Sequence, residues 1–221
     1  MFGAVNLLLA GKATPAGPPT FDSAGAGYSA LGGVNGSYSH DIAGNFVAIF
    51  GWVSTTSASS TITATVGGQS ATSAYDVTNG NYGGYYYYEI AFYLLNPPTG
   101  SQTIAVDATS IDGMTINSVS CNNVTTVDTA LYSAITGTAL TASVSSSNAS
   151  NLYLFAAMGA NGASADFSSL SGATSRYSVA ENAARTAALI IGDAPGNGST
   201  LSMTATANAS FGINGIILPV G

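Results

Sequence analysis

The side chains that could perform chemistry are few and scattered along the chain. The single histidine, His40, is followed by Asp41, but a Ser-His-Asp arrangement needs partners that converge in space. No G-x-S-x-G segment is present, so the strand-to-helix turn that exposes a nucleophilic serine has no counterpart here. We interpret His40 as a polar residue at the end of a strand and not as a general base.

Metal ligands and paired carboxylates are also sparse. The sequence has no cluster of histidine and cysteine residues, so we predict no zinc site. We expect Asp107 and Asp112 to be solvated turn residues rather than Ca²⁺ ligands. Glu89 is the only acid within a strongly aromatic strand. A glycosidase needs two acids roughly 5–10 Å apart across a cleft. We predict a protein without enzymatic activity, cofactor or metal, and rank a hydrolase that uses His40 or Glu89 last.

The segment YGGYYYYEIAFYLLNPPTG, residues 82–100, raises a question of binding rather than catalysis. Side chains alternate across a strand, which predicts an apolar face that points into the fold and a second, half-exposed face. The apolar face carries Tyr86, Tyr88, Ile90, Phe92 and Leu94. The second face carries Tyr85, Tyr87, Glu89, Ala91, Tyr93 and Leu95.

The second face supplies the candidate contact residues Tyr85, Tyr87, Glu89 and Tyr93. Tyrosine buries a large ring and keeps a hydroxyl for a partner, and it is enriched at protein interfaces. Three interpretations stay open: a subunit interface, cross-strand packing on an outer sheet face, and a platform for sugar rings. We favour the first two, because a sugar site also needs polar side chains converging beside the ring. Trp52 alternates with Phe50 and is expected in or near the core.

The composition excludes several partner classes. Charged residues make up 6% of the 221 residues, with three basic residues against ten acids and a net charge of −7. Phosphate recognition needs clustered lysine and arginine, so nucleic acid is excluded, as is an anionic membrane surface. The single cysteine, Cys121, allows no disulfide within the chain, and we interpret it as a small buried apolar residue.

The first residues, MFGAVNLLLAGKATPAGPPTF, form an apolar stretch with no basic residue ahead of Leu7. A signal peptide would carry such a basic region, and the run is too short to span a bilayer. We therefore predict an N-terminal docking arm with a proline-rich hinge at residues 1–19, followed by a single β-sandwich domain at residues 20–221. Packing of the arm on its own domain is an equal alternative. The proposed docking residues are Phe2, Val5, Leu7, Leu8 and Leu9.

Short alternating or β-branched runs separated by turn signals predict an all-β chain. With more than ten short strands, we expect an antiparallel two-sheet sandwich of jelly-roll-like form. Gly67-Gly68 predicts a tight hairpin. Asn-Gly pairs such as Asn214-Gly215 each predict a turn or bulge, and we expect two strands, Ser199–Ala207 and Phe211–Pro219, at the end of the chain.

Four segments, in order, resemble one family. They are FDSAGAGYSALG, FYLLNPPTGSQTIAV, SVSCNNVTTVDTA and SFGINGIILPVG, and they resemble the β-sandwich minor tail proteins of phages that infect actinobacteria, of the mycobacteriophage type. The resemblance covers most of the chain from Thr20 onward, and Asn96 to Gly100 is its most specific part. The sequence departs from the pattern at Cys121 and at Phe211, where the family often has tryptophan.

The resemblance implies a virion structural protein whose arm anchors to the tail. We therefore expect a location in the virion, on the tail rather than on the capsid surface, with contact to the host surface. Expected partners are other virion proteins, further copies of the chain in a homo-oligomer and a host-surface glycan, with no membrane insertion. The alternatives are a carbohydrate-binding β-sandwich module and a capsid decoration protein.

Overall fold

Sixteen β-strands build the described part of the chain, and 68% of the described residues lie in strands. The computed structural model describes residues 17–33, 35–162, 164–183 and 185–221, with the side chains of residues 79, 81 and 82 excepted. Residues 1–16 of the predicted docking arm lie outside the described residues. No helix among the described residues is long and apolar enough to cross a membrane.

The strands follow in chain order: β1 (Thr20–Ala24), β2 (Tyr28–Leu31), β3 (Gly36–Ile42), β4 (Phe46–Thr55), β5 (Ile62–Val66), β6 (Gln69–Ser70), β7 (Thr72–Tyr82), β8 (Tyr85–Leu95), β9 (Gly100–Ala108), β10 (Ile111–Asn122), β11 (Leu131–Val144), β12 (Leu152–Ala160), β13 (Phe167–Ser171), β14 (Thr174–Val179), β15 (Ala188–Pro195) and β16 (Leu201–Val220).

These strands pair, always antiparallel, into three sheets. The central sheet has the order β1-β10-β4-β8-β7, with β2 also paired to β10. The small sheet has the order β3-β9-β5-β6. The C-terminal sheet has the order β11-β16-β12-β15-β14, with β13 also paired to β16. The predicted all-β, antiparallel, sandwich-like class is confirmed, with three layers rather than the two expected.

The central sheet is buried on both faces, which explains why β4 has no exposed residue. One face, with Val47, Ile49 and Val53, packs against the small sheet in an apolar core that also contains Ile90. The other face packs against the C-terminal sheet, and Phe50 belongs to that second core. Alternation along one strand thus feeds two separate hydrophobic layers.

A third core lies on the far face of the C-terminal sheet. The 20-residue strand β16 pairs with β11 along both of its halves, while β13 pairs with its first half and β12 with its second. The prediction of two terminal strands is therefore wrong, because β11 continues as a partner past residues 208–210. The third core includes Phe155, Met203 and Phe211.

Two turn predictions had opposite outcomes. Gly67 and Gly68 have φ of 56° and 78° and join β5 to β6 with Val66 opposite Gln69, so the predicted hairpin is confirmed. The turn or bulge predicted at Asn214-Gly215 is wrong, because both residues lie inside β16 and pair in continuous register with its neighbours. A Cβ at Gly215 would lie 2.5 Å from Leu140 Cδ2. Gly215 is therefore required because a side chain there would collide with Leu140.

Candidate functional site: a cleft between the central and C-terminal sheets

The central and C-terminal sheets separate at one end of their shared core and leave a cleft with two adjoining parts. The parts measure about 580 and 520 Å³, within the range of small-ligand sites. Both are lined by Trp52, Tyr87, Gly212 and Asn214. The first part is also lined by Gly83, Tyr85, Ala160, Asn161, Gly162 and Arg185, and the second by Glu89, Tyr132, Ala134, Ile135 and Thr136.

The aromatic wall of the cleft comes from neighbouring strands of the central sheet. Trp52 on β4 pairs in register with Glu89 on β8, and Tyr87 lies on the same face of β8 two residues earlier. The Trp52 and Tyr87 rings are tilted by 36° with centroids 5.0 Å apart. Trp52 is 8% exposed, and its indole N–H has no hydrogen-bond partner among the described residues.

Asn214 is held by hydrogen bonds from both sides of the cleft. Its Nδ2 donates to Glu89 Oε1 at 2.8 Å, which joins the two sheets. Its Oδ1 accepts from the Tyr132 hydroxyl at 2.6 Å. The Glu89 carboxylate is fully buried, and a buried charge requires such partners. The three side chains therefore form a fixed polar floor beneath the aromatic wall.

Arg185 closes the first part of the cleft. Its Nη1 donates to the Tyr85 hydroxyl at 2.7 Å, and its guanidinium lies 4.5 Å from the centre of the Tyr85 ring. Its Nε lies 2.6 Å from Asp112 Oδ2 in an ion pair. The positive charge is thus already balanced within the protein, and the guanidinium orients the tyrosine ring.

The loop at Asn161 and Gly162 is fixed by the buried carboxylate of Glu181. Glu181 Oε2 accepts the backbone N–H groups of Asn161 and Ala165, and Oε1 accepts that of Gly162, each at 3.1 Å. Charge-assisted hydrogen bonds of this kind are stronger than neutral ones. The rim of the cleft therefore has a defined position.

Three of the four candidate contact residues meet in this cleft. Tyr85, Tyr87 and Glu89 line it, whereas Tyr93 lies further along β8 and stacks on Phe46 with centroids 6.2 Å apart. Their predicted roles as interface or glycan contacts stay predictions. The face was expected to be half-exposed, but Glu89 is fully buried because the C-terminal sheet covers it.

Sequence reasoning missed the residues that come from the distant half of the chain. The Asn214-Gly215 pair predicts a turn or bulge, and the sequence gives no reason to single out Tyr132 or Arg185. One signal was available for Asn214, which is the only polar side chain between Phe211 and Val220. Trp52, expected in or near the core, is buried and lines the cleft as well.

A second polar cluster surrounds His40, where β1, β3 and β10 meet. Its Nε2 lies 3.0 Å from Ser23 Oγ and its Nδ1 lies 2.8 Å from Ser118 Oγ. Burial lowers the pKa of the imidazole. The orienting partner of a Ser-His-Asp triad is a carboxylate, and here a serine occupies that position. This cluster ties three strands together.

The remaining candidate groups have unremarkable surroundings. Cys121 is fully buried, as predicted, and burial raises the pKa of its thiol. Such a thiol is inert, because the thiolate is the reactive form. Among the described residues, no group of three or more His, Cys, Asp or Glu side chains could hold a metal ion.

Comparisons with known proteins assign the chain to no family. No protein-family model matches the sequence, and no curated protein matches it. A solved structure titled "Crystal Structure of the STIV MCP", a viral major capsid protein, is a weak structural neighbour. The similarity covers 92% of this chain and 96% of that chain, with a TM-score of 0.26 and 9% identity. At this level it carries no argument about the fold or function of this chain.

Proposed function

We propose that this chain is a non-enzymatic structural protein of a phage virion, and more specifically a minor tail protein that docks through its N-terminal arm. The observation that carries the proposal is the Asn96–Gly100 segment, the most specific part of the resemblance to phage tail proteins. That resemblance implies a strand ending in an aliphatic residue, then Asn-Pro-Pro-Thr-Gly, then a second strand rich in threonine and valine.

The segment has that context in the fold. β8 ends at Leu95 and β9 begins at Gly100. The Asn96 N–H donates to the Asn45 carbonyl at 2.7 Å, and Asn96 has a φ of 56°, a conformation that asparagine tolerates better than most residues. The turn passes the chain from the central sheet to the small sheet, so it also fixes how these two layers connect.

The described surface favours protein partners over nucleic acid. Arg176 and Arg185 are paired with Asp193 and Asp112, which leaves no cationic cluster on the described residues for phosphate. The exposed large apolar residues of the described chain are Val77, Leu131 and Ile135. They lie on β7 and β11, two edge strands. Exposed sheet edges and apolar side chains favour pairing with further copies of the chain.

These two edges lie side by side, because Tyr75 on β7 stacks on Tyr132 on β11 with centroids 5.2 Å apart. The apolar residues therefore belong to one region of the surface. We place this region as a secondary contact in a homo-oligomer that is held by the docking arm, and symmetric self-association is the common arrangement of homo-oligomers.

The mass of the chain in solution, with and without residues 1–19, tests the docking part of the proposal. We expect the intact chain to be oligomeric and the truncated chain to be a folded monomer. A matched variant, Leu8→Asp in the intact chain, should behave like the truncation, because it places a charge within the apolar run. If each of the three proteins has the mass of its own monomer, docking through the arm is contradicted.

A further inference from the structure

We propose that the cleft binds a neutral saccharide, which lies against Trp52 and Tyr87 and hydrogen-bonds to the polar floor at Asn214. This inference goes beyond a structural role in the virion and does not depend on it. It rests on the aromatic wall, on the fixed polar groups, on an indole N–H with no partner in the described ranges and on the charge balance of the lining.

The indole N–H of Trp52 is the observation that points most directly to a ligand. The side chain is more than nine-tenths buried, it lines both parts of the cleft, and the N–H has no partner among the described residues. A buried donor without an acceptor costs free energy, and buried tryptophan N–H groups usually find a partner. Because this nitrogen is itself covered, a hydroxyl or ring oxygen of a bound sugar supplies the acceptor only when the Trp52 ring turns toward the cleft on binding.

The lining combines the two kinds of contact that a pyranose offers. The rings of Trp52, Tyr85 and Tyr87 present apolar surface to the C–H faces of a sugar. Asn214 and Tyr132 are fixed by their mutual hydrogen bond and by Glu89, so little conformational freedom would be lost on binding. A few precisely placed polar groups on an otherwise apolar lining are typical of small-ligand sites.

The charges favour a neutral ligand over an ionic one. Arg185 is neutralised by Asp112 at 2.6 Å, and Glu89 is engaged by Asn214 at 2.8 Å. A charged sugar would have to compete with one of these internal contacts, and at Glu89, which is fully buried, the loss of the Asn214 hydrogen bond leaves the carboxylate uncompensated. A neutral polyhydroxyl ligand makes no such demand.

Gly212 keeps the cleft open and provides a way to close it. A Cβ placed at this residue would have no heavy atom within 4 Å, and its backbone is not in the left-handed region. A larger side chain at Gly212 would therefore project into the cleft without a clash at its first carbon. Gly137 on the neighbouring strand β11 is the matched control, because a Cβ there meets only Ile135 at 3.9 Å and Gly137 does not line the cleft.

The experiment is a titration of the intact protein monitored by tryptophan emission. Trp52 is the only tryptophan in the sequence, so any saturable change reports on the cleft. The probes are maltohexaose, cellohexaose, mannohexaose and a linear galacto-oligosaccharide, with a hyaluronan hexasaccharide as the anionic probe. Saturation-transfer NMR of the same mixtures provides a readout that does not depend on the fluorophore.

We expect at least one neutral probe to give a saturable change in emission. The Gly212→Leu variant should bind that probe at least tenfold more weakly, while Gly137→Leu should bind it as the unchanged protein does. The melting temperatures of both variants identify any loss of fold. The proposal is overturned if no neutral probe binds at millimolar concentration, if only the anionic probe binds, or if folded Gly212→Leu binds with unchanged affinity.

Discussion

The two faces of β8 lie in two layers of very different character. Toward the small sheet, Tyr88, Ile90 and Phe92 enter a core made of apolar side chains. Toward the C-terminal sheet, Tyr87 and Glu89 border a cleft with a buried carboxylate and an indole N–H that has no partner within the described part of the chain. One strand thus serves as ordinary core on one side and as a polar, incompletely filled surface on the other.

The difference shows where this fold departs from close packing. Protein interiors are packed as densely as organic crystals, and the layer beside the small sheet follows that rule. The layer beside the C-terminal sheet follows it around Phe50 and Ile191 but opens toward Trp52 and Asn214. The polar groups lie at this opening, which is the arrangement that the proposed saccharide site requires.

The largest expected effect is a truncation in the filled layer. Ile90→Ala should lower the free energy of unfolding by about 2–5 kcal/mol, because it removes a fully buried side chain and leaves a cavity. Chemical denaturation measures the change. Tyr85→Ala at the rim of the cleft is the matched control and should cost less, and the reverse order would contradict the distinction between the layers.

The next effect concerns the buried carboxylate of the cleft. Glu89→Ala should lower the free energy of unfolding by about 1–3 kcal/mol, because the Asn214 amide loses its buried acceptor. Glu89→Gln keeps an acceptor oxygen and should cost less than Glu89→Ala in the same denaturation experiment. Equal losses in the two variants would show that the hydrogen bond to Asn214 is unimportant.

A pair of glycine substitutions compares filled and open space directly. A Cβ at Gly51 would lie 2.5 Å from the Thr115 carbonyl oxygen, and Gly51→Ala should cost about 1–3 kcal/mol by overpacking. Gly212→Ala adds the same methyl group to open space and should change stability by no more than about 0.5 kcal/mol. Thermal denaturation of both variants measures the two losses of stability. A larger loss for Gly212→Ala would contradict the assignment of filled space to Gly51 and open space to Gly212.

The smallest effect is a pH dependence that arises at His40. Burial lowers its folded-state pKa below 6.5, although the nearby carboxylates of Asp22 and Asp41 oppose the shift. The unfolded chain therefore binds more protons as the pH falls below 6.5. This contribution to stability is complete above pH 6.5 and is lost as the pH falls through the lowered folded-state pKa.

Denaturation curves recorded at descending pH test this assignment. His40→Gln should reduce the loss of stability that begins below pH 6.5. Burial raises the pKa of Asp22, but hydrogen bonds from Ser120 and two backbone N–H groups lower it below 3.8 overall. The loss of stability that follows when Asp22 is protonated at still lower pH should therefore remain in His40→Gln. An unchanged profile in His40→Gln would assign the pH dependence to another group.

The sequence allows the local parts of this fold to be predicted. Alternation on β8 and the Gly67-Gly68 hairpin depend on nearest neighbours in the chain, and the structure contains both. The third sheet could not be predicted from such signals. Whether Glu89 is half-exposed or buried depends on a strand more than a hundred residues away.

The candidate site shows the same limit. Tyr85, Tyr87 and Glu89 could be selected because they share one face of one strand. Asn214 could not, because its Asn-Gly pair has the composition of a turn and only the pairing of β16 on both sides holds it extended. The apolar strand around Trp52 predicts a core residue. That Trp52 also lines the cleft depends on where the two sheets separate, which the sequence does not show.

The central claim, a structural protein of a phage tail, is tested most directly by locating the chain on purified phage particles. Antibodies raised against residues 20–221 and coupled to gold would be applied to the particles and viewed by electron microscopy. We predict label on the tail, with peptides of the chain recovered from the same particles by mass spectrometry. Label on the capsid surface would contradict the tail assignment, and absence of the chain from the particles would contradict a structural role in the virion.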